Sequence, residues 1–239
     1  MSSYAFDNAW RQARERLALL EACLDPATTR RMMTLGVGEG WTCLDVEAGG
    51  GAIAQWLCTR VGASGRVLAT DIDTRFLEAL AAPNLEIRRH NVVTDPLPAD
   101  GFDFVHTRMV LMHLPEREQV LGRLIAALKP GGWLLLEEQD LFPISAIASG
   151  VYADIWAAFH RAARAFGAQG DWARDLPLLL TTQGLTEVGA DGDVPYFMGV
   201  SPMAEFWRLT WEQLRQGIVR AGAGEQDVDQ ALRLLADPQ

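Results

Sequence analysis

Apolar positions near the start of the chain recur at helical spacing. Trp10, Ala13, Leu17, Leu20 and Leu24 fall three or four residues apart, with Arg11, Arg14, Glu15 and Arg16 between them. "DPATTRRMMTLG" then reads as the start of a second helix, with Asp25 as its cap, Pro26 in its first position and Gly36 as its stop. From Trp41 the pattern changes. Short apolar runs ("WTCLDV", "GRVLATD", "LEIRRHN", "FDFVHTR", "WLLLEE") read as strands. Between them "GAIAQWLCTRV", "TRFLEALAA" and "PEREQVLGRLIAALKPGG" read as helices, the last with Val120, Leu121, Leu124, Ile125 and Leu128 as its buried stripe.

Repeated strand–helix units predict an α/β fold: a Rossmann-like, mostly parallel sheet with helices on both faces. In such a sheet ligands bind beyond the carboxyl ends of the strands, near the reversal of strand order. The turn after the first strand, "LDVEAGGG", belongs there. After Glu138 the alternation stops. Gly150–Gly167 predicts a long helix carrying Tyr152, Trp156, Phe159 and Phe166, and "LTEVGADGDV" a sixth strand. Ser201–Gly217 predicts another helix, striped with Phe206, Trp207, Trp211 and Leu214, before a last short one over Asp227–Ala236. The expected organisation is one domain over 1–239: helices over 1–40, a ligand-binding core over 41–140, and substrate-side helices with the remaining sheet over 141–239.

Composition narrows the function. The 239 residues are 49% hydrophobic and carry a net charge of −10. No Lys/Arg run offers the basic face that a phosphate backbone requires, so nucleic acid is not an expected partner. No apolar run is long enough to span a bilayer, and the start of the chain lacks the pattern of a secretory signal. Cys23, Cys43 and Cys58 are scattered without metal-ligand spacing, and read as reduced residues of a cytoplasmic protein with no metal.

Glycine in the turn after strand one lets the backbone approach a ligand, and the following helix offers its first N–H groups. Gly49, Gly50 and Gly51 meet that need, although a glycine-rich turn alone fits any nucleotide fold. Asp71, at the end of strand two, has the place of a carboxylate that accepts the hydroxyl protons of a ribose, with Ile72 beside it. Asp73 is the weaker claimant, because Asp73-Thr74 also has the form of a helix cap. Asn91 ends strand three, where it either meets an adenine amino group, with Val92 against the ring, or caps a turn.

Together, "LDVEAGGGAIAQWL", "VLATDIDTRFLEAL", "RRHNVVTDPLP", "FDFVHTRMVLMHLP" and "LKPGGWLLLEE" resemble, in order and spacing, the successive motifs of class I S-adenosylmethionine-dependent methyltransferases, closest to actinobacterial small-molecule enzymes. The resemblance implies strand order 3-2-1-4-5-7-6, S-adenosylmethionine as cofactor and S-adenosylhomocysteine as product. It places Asp45 near the methionine end of the cofactor, Gly49 and Gly51 at the second and third motif glycines, Asp71 at the ribose, and Asn91 and Val92 at the adenine. Arg108 to Met112 would line the floor under the sulfonium. "YAFDNAW" resembles a segment that folds over the cofactor, making Tyr4, Phe6, Asn8 and Trp10 lid candidates.

Glu47 departs from the pattern, standing where the first motif glycine is expected. If that position needs positive φ, a glutamate strains it by about 1 kcal/mol or more. Its carboxylate either opposes the cofactor's own carboxylate, pairs with the cofactor's ammonium, or points elsewhere.

The implied function is methyl transfer to O, N or C of a small, apolar metabolite of natural-product type. The alternative is a methyltransferase-fold protein that does not methylate, a cyclase or an inactive partner, because of Glu47. A nicotinamide-dependent reductase of the short-chain kind is disfavoured: the chain has one lysine, Lys129, and no Tyr-xxx-Lys pair. For a hydroxyl acceptor His113, in the loop after strand four, is the candidate base, against a packing role there. His90 and His106 read as packing or turn residues, and His160, on the aromatic helix, as either a surface residue or a catalyst. Glu138 and Asp140 could orient an acceptor, or be solvated turn residues. Tyr152 and Trp156 could wall a substrate site, or form core. The Trp207/Trp211 stripe allows a homodimer face, or covers the core.

Overall fold

The computed structural model describes residues 8–147 and 149–238. Five parallel strands carry the sheet: β1 (Thr42–Val46), β2 (Arg66–Asp71), β3 (Leu85–Arg89), β4 (Phe102–Arg108) and β5 (Leu128–Glu137). Their order is β3-β2-β1-β4-β5, so the chain reverses its direction of travel across the sheet between β1 and β4. Register sets Asp45 beside His106, and Val46 beside Thr70 and Thr107. Helix α2 (Ala52–Val61) crosses from β1 to β2 and buries Ile53, Ala54, Leu57, Cys58 and Val61. Helix α3 (Arg117–Ala127) crosses from β4 to β5 on Val120, Leu121 and Leu124. Met32, Val37, Cys43, Val67, Ala69, Leu77 and Phe104 join the α2 side chains in one apolar cluster.

Four sequence expectations are corrected. The first two helices are one, α1 (Ala13–Thr34), with Pro26 inside it. An internal proline loses an N–H and normally costs ~3 kcal/mol. Here Asp25 does not cap a helix: it forms an ion pair with Arg108 at 2.9 Å, and Thr29 donates to the Asp25 carbonyl at 2.8 Å, holding the turn that the proline weakens. "TRFLEALAA" makes only a single 3-10 turn over Thr74–Phe76; Asp73 does cap it, accepting from Arg75 N. The helix before β5 stops at Ala127: Leu128 is already extended (ψ 140), and Pro130, which lacks an N–H and disfavours helical backbone in the residue before it, cannot continue the helix. Among the described residues "LTEVGADGDV" forms no sixth strand, and the sheet ends at β5.

The chain divides into two compact units, with boundaries other than 40 and 140. The sheet unit comprises Leu20–Leu111 and Glu116–Glu137; the helical unit comprises the residues up to Leu19, Met112–Pro115, and those from Glu138 onward. The later helices are α4 (Phe142–Ile147), α5 (Gly150–Ala165), α6 (Leu176–Thr182), α7 (Pro202–Gln213), α8 (Arg215–Arg220) and α9 (Glu225–Leu235). The expected Ser201–Gly217 helix is thus broken between α7 and α8.

The helical unit has an aromatic core. Trp156 lies 4.5 Å from Trp207, 5.5 Å from Phe159 and 5.6 Å from Trp211, centroid to centroid, in edge-to-face contacts. Trp207 and Trp211 are buried. Their stripe therefore covers this core and does not present a dimer face. Arg16 stacks over the Phe206 ring at 5.6 Å.

Candidate cofactor site

The sheet unit gathers Asp45, Glu47, Gly49, Gly51, Asp71, Ile72, Asn91, Val92 and Arg108 from the carboxyl ends of β1 to β4. The turn after β1 is left-handed at Glu47 (φ 53), Gly49 (φ 59) and Gly51 (φ 87). A Cβ on Gly51 would collide with Leu80, and one on Gly50 with the Glu21 carboxylate. Gly51 thus needs glycine for conformation, whereas at Gly50 a side chain would displace the flexible end of Glu21.

Asp71 is buried, and its carboxylate closes this turn. Oδ2 accepts from Gly49 N at 3.0 Å and Oδ1 from Asp73 N at 2.9 Å. Burial pushes the carboxyl up, against the pull of those two N–H groups. Ile72 beside it is 40% exposed, a large apolar side chain offered to solvent or a flat ligand. Asn91 is a turn cap: its Oδ1 accepts from Val93 N at 3.0 Å, and its own N–H donates to Asp95 at 2.9 Å. Val92 is buried.

Glu47 does take up the positive φ that the missing glycine requires. Its half-buried carboxyl reaches across to the ends of β2 and β3, where Oε2 accepts from Ile72 N at 3.3 Å and the carboxyl also from the Val92 N–H. Burial, reinforced by the neighbouring Asp71 charge, pushes Glu47 up to about 8. The side chain thus occupies backbone donors of two residues assigned to the cofactor. Glu21, from α1, does the same at the other end of the turn, accepting from Ala52 N at 3.3 Å at the start of α2. No sequence pattern pointed to Glu21, thirty-one residues upstream of its partner.

Arg108 does not lie free as a floor. It donates to Thr28 Oγ1 at 2.9 Å and pairs with Asp25, both on α1. Met109, the next residue, is held at φ 55 with its N–H on the Glu137 carbonyl at 2.7 Å. His106, read from the sequence as a packing or turn residue, has polar partners that the sequence did not point to. It is buried, with Nδ1 at 2.7 Å from Asp45 and Nε2 at 3.2 Å from Glu137. The available signal was a polar residue near the end of each of three otherwise apolar strands, "LDV", "VHT" and "LLLEE".

The remaining candidates belong to the helical unit. Trp10 is half-buried just before α1, and its carbonyl accepts from Ala13 N. Tyr4 and Phe6 lie outside the described residues. His113 ends a 3-10 turn over Leu111–His113 and is half-buried. Glu138 accepts from Met112 N at 3.2 Å. Asp140 is engaged by Arg174 through two contacts of 2.7 Å and by Phe142 N at 2.9 Å. Trp156 is buried in the aromatic core, with Tyr152 6.2 Å from it. His160 packs edge-on against Trp156 at 5.6 Å, and burial draws its pKa down.

Comparison with known proteins fits this geometry. Residues 44–136 match the family model described as a methyltransferase domain. The chain is similar to methyltransferase str2 of Strobilurus tenacellus, 36% identical over 105 residues, covering 44% of this chain and 38% of that one. It is similar also to the ubiquinone/menaquinone biosynthesis C-methyltransferase UbiE of Francisella tularensis subsp. novicida, 32% identical over 125 residues, covering 49% and 50%. It spans half or less of the length of these curated relatives. The YcgJ protein of Bacillus subtilis shares the fold, with a TM-score of 0.54 at 15% identity over 85% of this chain and 80% of that one. Residues 44–136 thus carry the match to a methyltransferase domain, on a fold shared with YcgJ.

Proposed function

We propose that the protein transfers a methyl group from S-adenosylmethionine to oxygen, nitrogen or carbon of a small apolar metabolite. One observation carries this reading: within a methyltransferase domain, a left-handed glycine turn, the Asp71 carboxylate and the Asp45 carboxylate converge on the carboxyl ends of β1 and β2. The residues fit the cofactor on structural grounds. The left-handed turn at Gly49 and Gly51 brings bare backbone to the end of β1, and exposed Ile72 gives an apolar platform next to a buried acid. Asp45 Oδ2 is buried without a hydrogen-bond partner among the described residues, an acceptor suited to an ammonium.

The cofactor supplies an electrophilic methyl group on a sulfonium. The chain's part is orientation and exclusion of water. Asp71 would hold the ribose hydroxyls, Ile72 and Val92 the adenine, and Asp45 the amino-acid end. Glu47 must release the Ile72 and Val92 amides for the adenine to use them. His113 is assigned as base for a hydroxyl acceptor, supported by its turn directly after β4. Trp10 as a lid, and Glu138, Asp140 and Tyr152 as acceptor contacts, belong to the same proposal. An apolar acceptor is supported by UbiE, named for ubiquinone and menaquinone biosynthesis; a place in secondary metabolism belongs to the same proposal. A cytoplasmic place is supported by free, buried thiols at Cys43 and Cys58.

The test is product mass. The protein is incubated with S-adenosylmethionine and a panel of phenols, quinols and amines. A product heavier by one methyl group, with S-adenosylhomocysteine formed in equal amount, supports the reading. A product of unchanged mass would instead support the cyclase alternative.

A further inference from the structure

Behind the glycine turn, the sheet unit buries a chain of ionisable groups that the reaction as described does not use. His106, on β4, faces Asp45 on β1 at 2.7 Å and Glu137 on β5 at 3.2 Å. Glu137 also accepts from Thr28 Oγ1 at 2.6 Å and Arg31 at 3.3 Å. Arg108 completes the group through Thr28 and Asp25.

Hydrogen bonding points to the state of the ring. Thr28 receives the Arg108 N–H, and its own hydroxyl proton has two acceptors, Glu137 Oε2 at 2.6 Å and the Leu24 carbonyl at 3.2 Å, of which Glu137 is the nearer; Arg31 can only donate. Glu137 is therefore an acceptor on every side, a carboxylate, and its imidazole neighbour must present an N–H to it. Asp45 Oδ1, 2.7 Å from the other ring nitrogen, is placed to accept a second N–H. Charge points the same way: His106 lies between two acids, Asp45 and Glu137, and an imidazolium there is attracted to both. Burial draws the His106 pKa down, but the hydrogen bonds and charges of Asp45 and Glu137 outweigh it and leave the value raised. Glu137 is lowered: burial raises it, and His106, Thr28 and Arg108 more than reverse that.

We propose that His106 is a positioning residue of the cofactor site: as an imidazolium shared by Asp45 and Glu137, it holds Asp45 by Oδ1 and leaves Oδ2 for the ammonium of the cofactor's amino-acid end. The proposal rests on the methyltransferase reading above. Without the ring's charge, Asp45 and Glu137 repel, and the Asp45 carboxylate turns or takes up a proton. In either case its hold on an ammonium weakens. The ribose and adenine contacts, made by Asp71, Ile72 and Val92, are untouched.

That separation sets the test. Proton–nitrogen NMR of the cofactor-free protein should show both ring nitrogens of His106 protonated at pH 7; a neutral ring overturns the proposal. Calorimetry then compares S-adenosylhomocysteine with 5′-methylthioadenosine, which lacks the amino-acid end. His106→Gln should weaken the first about tenfold and the second less than twofold. Equal loss for both ligands would mean a structural role only, and overturns it, as would no loss for either. Should His106→Gln fail to fold, Glu137→Gln carries the test. With one acid removed, its S-adenosylhomocysteine affinity should fall with rising pH at lower pH than in the parent, while 5′-methylthioadenosine binding stays flat. An unshifted profile overturns the proposal. Parent protein that binds S-adenosylhomocysteine while the variants match it sinks only the His106 role. Parent protein that binds neither ligand sinks the methyltransferase reading with it.

Discussion

Replacing Glu47 by glycine should improve this protein in two separable ways. The first is conformational. Glu47 is held at φ 53, where a residue with a side chain is disfavoured by ~1–2 kcal/mol relative to glycine. Glycine's greater freedom in the unfolded chain takes back part of this, leaving a gain of about 1 kcal/mol. For a chain of this length that corresponds to a melting rise of about 2–4 °C. The second is occupancy. The Glu47 carboxyl accepts from the Ile72 and Val92 amides. A neutral hydrogen bond nets about 0.5–1.5 kcal/mol, so freeing two donors should tighten S-adenosylhomocysteine about tenfold. Glu47→Ala divides the effects, since it frees the amides but keeps the left-handed strain: affinity should rise and melting should not. Acidity adds a third signature. A carboxyl raised from 4.5 to about 8 favours the folded state below pH 4.5, and that advantage is lost as pH rises toward 8. The glycine variant should lose this slope, so its margin over the parent grows with pH. Calorimetry and thermal melts at several pH values read all three. Unchanged affinity together with an unchanged melting curve across that range would refute the reasoning.

Other substitutions test the rest of the site and the core. Gly51→Ala places a methyl group against Leu80 at φ 87; it should lower stability by about 1–3 kcal/mol in urea unfolding and weaken cofactor binding. Asp71→Ala removes the acceptor for Gly49 and Asp73 N–H groups, and calorimetry should show a loss of cofactor affinity of at least tenfold, or about 1.4 kcal/mol. Trp211→Ala empties a fully buried site in the helical unit. It should cost about 3–5 kcal/mol, read as a lower midpoint for that unit, with S-adenosylhomocysteine affinity unchanged.

The strands were legible because each is a short apolar run closed by a polar residue, and Asp45 and Asp71 are themselves such closing residues. Glu47 was legible as an anomaly, since the positive φ follows from the glycine it replaces. What its carboxyl would do was not, because the Ile72 and Val92 amides come from two other strand ends. The continuous α1 could not be read either. Pro26 signals a break, and the ion pair that steadies its neighbour comes from Arg108, on the fourth strand. His106 was hidden by its setting: a histidine in a buried strand reads as packing until register places Asp45 on one side and β5 on the other. Glu138 drew attention as the residue leaving strand five. Its neighbour Glu137, one residue earlier and so on the opposite face, is the one that meets His106.

The central claim is that this sheet unit binds S-adenosylmethionine despite Glu47. Calorimetric titration of the protein and its Glu47→Gly variant, side by side, tests it most directly. The account expects micromolar binding of S-adenosylmethionine and S-adenosylhomocysteine by the parent, and about tenfold tighter binding by the variant. Absence of binding by the parent at millimolar ligand, whether or not the glycine variant binds, would contradict it.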